Sequence, residues 1–474
     1  MTAEPRWATP RTPGRRTLGG AIGKVSKLLG TPFMPWQQGV ADVAYELNED
    51  GQFAYDTIVV TIPRQQGKTT LVRAVNVTRP LLNARQVVIY TAQSALDARK
   101  KWEADWIPAV KASPIGSQVR VVLAPGREAM WFTPTGSRLG IVATTEQAGH
   151  GDVIDQGTID EAFSLQDARV EQSMRPAMMT RWNLARGDLG AQLWIPSTAG
   201  ILGKSPYLWD YVQRGRKAVE SGVNEGLCYV EYSAPDDADP SDPATWWGCM
   251  PALGTTVLQR TVAAFQRSMK ASEFARAFLN QWALSGEDPI VPLEHWQGLA
   301  RPIAPRPPWV VLGLDIGPRD SAAAITAVGE AHVVGEAQAG SELQSNVIES
   351  GQGTAWLLPA LARAVERYGR PYVLVDEKHC AHLLPEIERV AGFDRVRPLR
   401  VTDITAAFAF WLRLVGERKL FHAGEPELTA ALVGAGQRNV GDGLAWSRVK
   451  SGADITPLVA QTLAVSFWMG SWSD

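Results

Sequence analysis

The chain has 474 residues, 45% hydrophobic and 20% charged, enough for two or three domains with their own cores and unlike a disordered or fibrous chain. A formal net charge of −2 neither marks a nucleic-acid binder nor excludes one, because local patches decide that. No apolar run approaches the roughly 20 residues that a membrane span needs, no h-region marks a secretory signal, and Cys228, Cys249 and Cys380 lack paired spacing, which fits a reducing cytoplasm.

The N-terminal stretch is basic, with Arg6, Arg11, Arg15, Arg16, Lys24 and Lys27 against Glu4. Residues 1–30 read either as a disordered solubilising tail or as a partner-binding arm. Residues 56–62 are predicted as an apolar strand, 69–82 as a helix and 86–91 as a second buried strand. A long helix follows, with Ala98, Trp102 and Trp106 at helical spacing. Strands recur near 118–123, 128–133, 138–144, 153–160 and 191–196. Strands alternating with helices predict an α/β domain over 31–204 with a mainly parallel sheet. Residues 205–288 are mostly helical apart from Leu227–Tyr232; they end that domain and add a small helical subdomain. Pro289, Pro292, Pro302, Pro305, Pro307 and Pro308 mark 289–308 as a linker. In 309–474, strands at 309–315, 321–328 and 331–338 precede a helix at 354–368 and a strand at 371–376. That order predicts a mixed sheet of the ribonuclease-H type.

Thr61–Thr70 reads Thr-Ile-Pro-Arg-Gln-Gln-Gly-Lys-Thr-Thr between a strand and a helix. A P-loop needs that context, because free N–H groups at a helix start cradle phosphates. Gly67, Lys68, Thr69 and Thr70 fill the end of the pattern, with Lys68 for the β/γ-phosphates and the hydroxyl for magnesium. Ile62 stands where the first glycine is usual, and Arg64 adds a charge that can meet phosphate. Asp160 and Glu161 follow a strand, as the acids that hold magnesium through water and polarise the attacking water. Asp155, Gln156 and Gly157 interrupt that strand, so Asp155 rivals Asp160. Ser197 and Thr198 follow another apolar strand, where a polar segment can sense the γ-phosphate. Gln37, after Pro35 and Trp36, is a candidate adenine reader.

The second domain offers carboxylates on separate elements. Asp315 ends its first strand, Asp376 ends Pro-Tyr-Val-Leu-Val-Asp, and Asp454 opens the last helix. Two-metal phosphodiester cleavage needs such converging acids, and hard cations prefer oxygen. Asp320 and Glu377 are possible auxiliaries. His379, Cys380 and His382 lack a fourth ligand for zinc.

With these residues in hand, the chain resembles the tailed-bacteriophage terminase large subunits over roughly 30–470. The resemblance is carried by Pro35-Trp36-Gln37, Arg64 to Thr69, Tyr90 to Ser94, Asp160-Glu161, Ser197 to Ala199, Phe278 to Trp282, and Asp315, Asp376 and Asp454. It implies an ATP-driven motor that moves viral double-stranded DNA into a procapsid, joined to an endonuclease that cuts concatemers. It implies ATP and Mg2+ as cofactors, with Mn2+ an option in the nuclease site. The partners implied are the portal protein, the small terminase subunit and further copies in a ring. The setting implied is the host cytoplasm, with transient binding at the portal and absence from the mature virion. Family members often carry an arginine shortly before the acidic pair; here Thr144–Gly151 has none, and Arg138 is the nearest candidate. Two other classes compete: a helicase–nuclease of DNA repair or restriction, which needs a second motor fold, and a non-catalytic portal- or DNA-binding assembly protein.

Overall fold

β-branched and aliphatic runs set the first sheet. The computed structural model describes residues 3–124, 126–142, 153–283, 289–301, 310–330, 342–441 and 443–472, and the chain divides into two units, Met1–Ala283 and Leu284–Asp474. The strands of the first unit are β1 (Trp7–Ala8), β2 (Thr57–Thr61), β3 (Val87–Thr91), β4 (Val119–Val122), β5 (Ala129–Phe132), β6 (Ser137–Ile141), β7 (Gln156–Ile159), β8 (Gln192–Ser197) and β9 (Leu227–Glu231). They form one sheet in the order β1-β9-β2-β8-β7-β3-β6-β5-β4. The six strands from β9 to β6 in that order run parallel, and β1, β5 and β4 join in antiparallel pairs. β2, Thr-Ile-Val-Val-Thr, is buried throughout, as a central strand covered on both faces must be.

The helix Lys68–Leu82 follows β2. The long helix expected after β3 is interrupted: Ala95–Lys101 and Ile107–Ala112 are joined by a π-helical turn over Trp102–Trp106. That turn lets both Trp102 and Trp106 bury completely, with the ring of Trp106 4.6 Å from that of Tyr90. The helix Pro206–Ser221 packs Tyr207, Leu208 and Val212 into the sheet's own core. The separate helical cluster forms later, around Trp246, Cys249, Phe274 and Phe278.

The N-terminal arm is not a free tail over its described residues. β1 pairs with β9, Gly19–Leu28 is helical, and Arg11 and Arg15 reach the fully buried Glu46 at 2.5 and 3.1 Å. A buried carboxylate needs such partners, since breaking one costs about 3–5 kcal/mol. Arg11 and Arg15 thus compensate a charge inside the fold.

In the second unit, β10 (Val310–Ile316), β11 (Ala322–Glu330) and β12 (Leu343–Gln352) form an antiparallel meander. β13 (Val373–Asp376) and β14 (Val396–Leu399) add parallel to β10, and β15 (Leu420–His422) adds parallel to β12. The order is β14-β13-β10-β11-β12-β15, the mixed ribonuclease-H-like arrangement expected. The predicted strand at 331–338 falls in 331–341, outside the described residues; the third strand is β12, further on. β16 (Gly436–Val440) and β17 (Gly443–Ser447) make a separate hairpin. The helix Thr456–Val465 lies so close on β10 that a Cβ at Gly313 would stand 1.8 Å from the carbonyl oxygen of Ala460; only glycine fits there.

The proline-rich stretch is likewise not bare linker over its described part. Leu293–Gln297 is helical, and Trp296 is fully buried in the unit's core with Val291 and Leu299. The ring of Trp296 stacks 4.1 Å from His422. Residues 302–308 of the stretch lie outside the described set.

Candidate active sites

The first site is built where parallel strands end and helices begin, the usual crevice of an open α/β sheet. β8 lies between β2 and β7, so the loop after β2 and the acids after β7 flank one position. The P-loop is tightly turned: Gln65 has φ 64° and Gly67 φ 91°. A Cβ on Gly67 would press on Met34 Cε at 2.8 Å and Gln37 Nε2 at 2.9 Å. Gln66, fully buried, fixes the loop by accepting from the N–H of Ala252 at 2.8 Å. Arg64 is exposed on the same loop, and its N–H donates to the carbonyl of Ala277 at 2.8 Å. Thr69 and Thr70, in the first turn of the helix, are half-buried.

Lys68 donates to Oδ1 of Asp160 at 2.7 Å and to Oε1 of Glu161 at 2.6 Å. Asp160 is buried and receives three more bonds: Glu161 N–H on Oδ1, and Lys101 Nζ and the Tyr90 hydroxyl on Oδ2, at 2.8 and 2.9 Å. Burial alone would raise the carboxyl pKa, but Lys68 and Lys101 outweigh it and hold it at about 2. Lys68 is also buried, yet the two acids keep its pKa above the ordinary lysine value. Glu161 has φ 57° and its side chain remains partly exposed.

Strand direction puts Asp155 and Asp160 at opposite ends of β7. Asp155 precedes β7, where its Oδ2 accepts from the N–H of Val87 at 2.7 Å and Arg181 stands 3.3 Å away. That is the opposite end of the sheet from Lys68. Arg138 stands opposite Val87 at the start of β3, at that same end of the sheet. Thr144–Gly151 lies outside the described residues.

Gln37 is fully engaged with the backbone around the P-loop. Its carbonyl accepts from the N–H of Met34 at 2.7 Å and its amide donates to the carbonyl of Gly67 at 2.8 Å. It braces the P-loop. Ser197 accepts from the N–H of Phe163 at 3.1 Å, which ties the end of β8 to the segment after the acids, and Thr198 is buried beside it. Asn280 bonds the N–H of Ala199 at 2.6 Å and the carbonyl of Tyr232 at 2.9 Å, giving the Phe278–Trp282 segment a role as a staple across strand ends.

In the second unit Leu314 stands opposite Val375, and Asp315 and Asp376 follow them on neighbouring strands. Asp315 is fully buried; Arg448, just after β17, donates to its Oδ1 at 2.6 Å, and its Oδ2 has no hydrogen-bond partner. Burial raises the Asp315 pKa, with Arg448 opposing and Asp376 adding to the rise. Asp376 caps the helix Glu377–Cys380, accepting from the N–H groups of Lys378 and His379 and from His379 Nδ1 at 2.8 Å. Burial opposes its ionisation, but His379 and those N–H groups keep the pKa below the ordinary value. A cavity of about 550 Å³ adjoins Asp376 and is edged by Lys378 and Arg400.

Asp454 is exposed and turned onto its own helix, accepting from Thr456 N–H at 2.9 Å and from the Thr456 hydroxyl at 3.0 Å. Asp320 pairs with His382 at 3.0 Å, and Glu377 with Arg400 at 3.7 Å. Among the described residues no three His, Cys, Asp or Glu side chains stand together as a metal cage. The three aspartates are therefore not gathered; only Asp315 and Asp376 are neighbours. The orphaned, buried Oδ2 of Asp315 fits a hard cation, which supplies the charge that a partnerless carboxylate oxygen lacks. His379 and His382 are engaged by acids and Cys380 is a buried thiol, which leaves no zinc set among the described residues.

Lys101 and Arg448 escape sequence reading as site residues, while Gln66, Tyr90 and Asn280 lie in motif segments without being singled out there. Lys101 is one of three consecutive cations, and Arg448 follows a hairpin with no sequence signature, so spacing could not single them out.

No family model matches the chain, and no curated protein matches it. Among solved structures it is similar to the HK97 bacteriophage large terminase, at 18% identity and TM-score 0.47, over 95% of this chain and 100% of that one. It is also similar to the large terminase of a thermophilic bacteriophage in complex with ADP, at 12% identity and TM-score 0.41, over 93% and 99%. The large terminase nuclease of thermophilic phage G20c matches at 14% identity and TM-score 0.27, over 38% of this chain and 98% of that one. All three scores fall below 0.5, and the sites described above rest on their own geometry.

Proposed function

We propose that the protein is the large subunit of a viral DNA-packaging terminase: an ATP-driven motor in the first unit and a metal-dependent endonuclease in the second. The observation that carries the motor reading is Lys68 held by Asp160 and Glu161 across β8. On nucleotide binding, the β/γ-phosphates draw Lys68 off the acids, with the P-loop N–H groups as further donors. Thr69 and Asp160 would hold magnesium, which neutralises phosphate charge when bound. Glu161, released from Lys68, orients the attacking water.

In the second unit Asp315 and Asp376 would hold the divalent ion or ions that activate water and leaving group. Asp454 would complete the set by turning from Thr456 toward the sheet. The Lys378 and Arg400 edge of the adjoining cavity suits a phosphodiester strand. The substrate is double-stranded viral DNA, and the partners are the portal, the small terminase subunit and further copies in a ring in the host cytoplasm. Among the described residues there is no second parallel motor sheet, so a helicase–nuclease gains no support, and the retained lysine and acids give none to a non-catalytic assembly protein.

Purified full-length protein should hydrolyse ATP faster when linear double-stranded DNA is added, and should cut supercoiled plasmid with Mg2+ or Mn2+. Absence of both activities overturns the reading.

A further inference from the structure

We propose that Lys101 is a positioning residue of the nucleotide site, a second cation that keeps Asp160 in place once Lys68 has left for the phosphates. The inference rests on the motor reading above. Lys68 spends two of its three N–H donors on the acids, so a triphosphate that takes more than one of them draws it off the carboxylates. As it departs, the buried Asp160 and the adjacent Glu161 become two like charges short of one partner. A carboxylate left in that state turns away toward other partners. Lys101 prevents this, since it holds the other oxygen, Oδ2, at 2.8 Å together with the Tyr90 hydroxyl at 2.9 Å. Oδ1 then stays facing the side that Lys68 vacates.

The scaffold around Lys101 supports this. It is the last residue before the π-helical turn, and π turns inside helices recur at functional sites. The turn is pinned by two fully buried tryptophans, and Asp105 within it pairs with Arg73 of the P-loop helix. The segment that carries Lys101 is thus tied to the helix that carries Lys68. Its neighbours point elsewhere: Arg99 pairs with Glu103 and Glu128, and Lys100 is exposed.

The test uses full-length protein with linear double-stranded DNA. Steady-state ATP hydrolysis is measured, and Mg2+ is titrated into binding of a fluorescent ATP analogue. Lys101→Met should lower kcat roughly tenfold to a hundredfold, the scale of one hydrogen bond to a charged group. It should also raise the half-saturating Mg2+ concentration by about threefold or more, because Asp160 is then no longer held facing the position that the metal takes. A merely structural role would not weaken metal binding while metal-free nucleotide binding stays unchanged. Lys101→Arg should recover most of kcat, and Lys100→Met should match the unaltered protein. If Lys101→Met does not fold, Lys101→Gln keeps a hydrogen bond without the charge and should show a smaller Mg2+ shift of the same sign. Unaltered kcat and Mg2+ dependence in Lys101→Met or Lys101→Gln, or loss of turnover without a Mg2+ shift, overturns the proposal. Failure of the motor reading looks different: the unaltered protein then hydrolyses no ATP.

Discussion

Arg448 sets its guanidinium 2.6 Å from Asp315, a carboxylate with no solvent exposure and with a second oxygen that nothing else bonds. The pair is balanced while both members are present. Removing the guanidinium leaves a buried charge that costs about 3–5 kcal/mol. Arg448→Ala should therefore lower the melting temperature of the second unit, and Mn2+ should restore more of it than it adds to the unaltered protein. Differential scanning calorimetry with and without MnCl2 checks this, and equal Mn2+ shifts in the two proteins contradict it.

Gln37 braces the P-loop through the carbonyl of Gly67. Gln37→Ala removes that bond and the one to Met34. Each is worth about 0.5–1.5 kcal/mol, so the KM for ATP should rise roughly threefold to tenfold with a smaller change in kcat. A variant that keeps KM but changes preference between ATP and GTP would instead assign Gln37 to base recognition.

Glu161→Gln should bind nucleotide while hydrolysis falls roughly 10²–10⁴-fold, the range for loss of a general base. Asp155→Asn should leave hydrolysis within a few-fold of normal, because Asp155 lies at the other end of β7 against Val87 and Arg181. Steady-state turnover of the two variants separates the positions, and a larger loss in Asp155→Asn would reverse the assignment.

How much of this was legible in the sequence depended on whether the partners were local. β2, β3 and the helix Lys68–Leu82 announce themselves by apolar runs and a glycine–lysine–threonine start. β7 reads poorly because Gln156 and Thr158 are polar inside a buried strand. Their partners are Tyr45 and Asn76, about 80 to 110 residues away in sequence, and Gly157 leaves room for Met174 and Met178 packed against it. The proline-rich stretch looked like a linker because the cavity that receives Trp296 is made by residues more than 100 positions later. Asp315 and Asp376 could be placed by strand ends, whereas the cation on Asp315 comes from a hairpin 133 residues on.

Acid should weaken the first unit through Asp160. Its pKa is held at about 2, below the ordinary 3.8, by Lys68 and Lys101 acting against burial. A carboxyl with a depressed folded pKa contributes stability that is fully present above 3.8 and lost as pH falls toward 2. Urea unfolding followed from pH 5 to pH 2 should show that loss, and Asp160→Asn should flatten the slope across the same window. An unchanged slope would mean that the carboxylate is not held by the two lysines in solution.

That one chain carries two independent hydrolytic centres is tested most directly by crossed inactivation. ATP turnover with DNA and Mn2+-dependent plasmid cleavage are measured on Lys68→Ala and on Asp315→Ala. Lys68→Ala is expected to lose ATP turnover and keep cleavage, while Asp315→Ala is expected to lose cleavage and keep ATP turnover. Both activities surviving in either variant, or Asp315→Ala cutting plasmid normally, would contradict the two-centre reading.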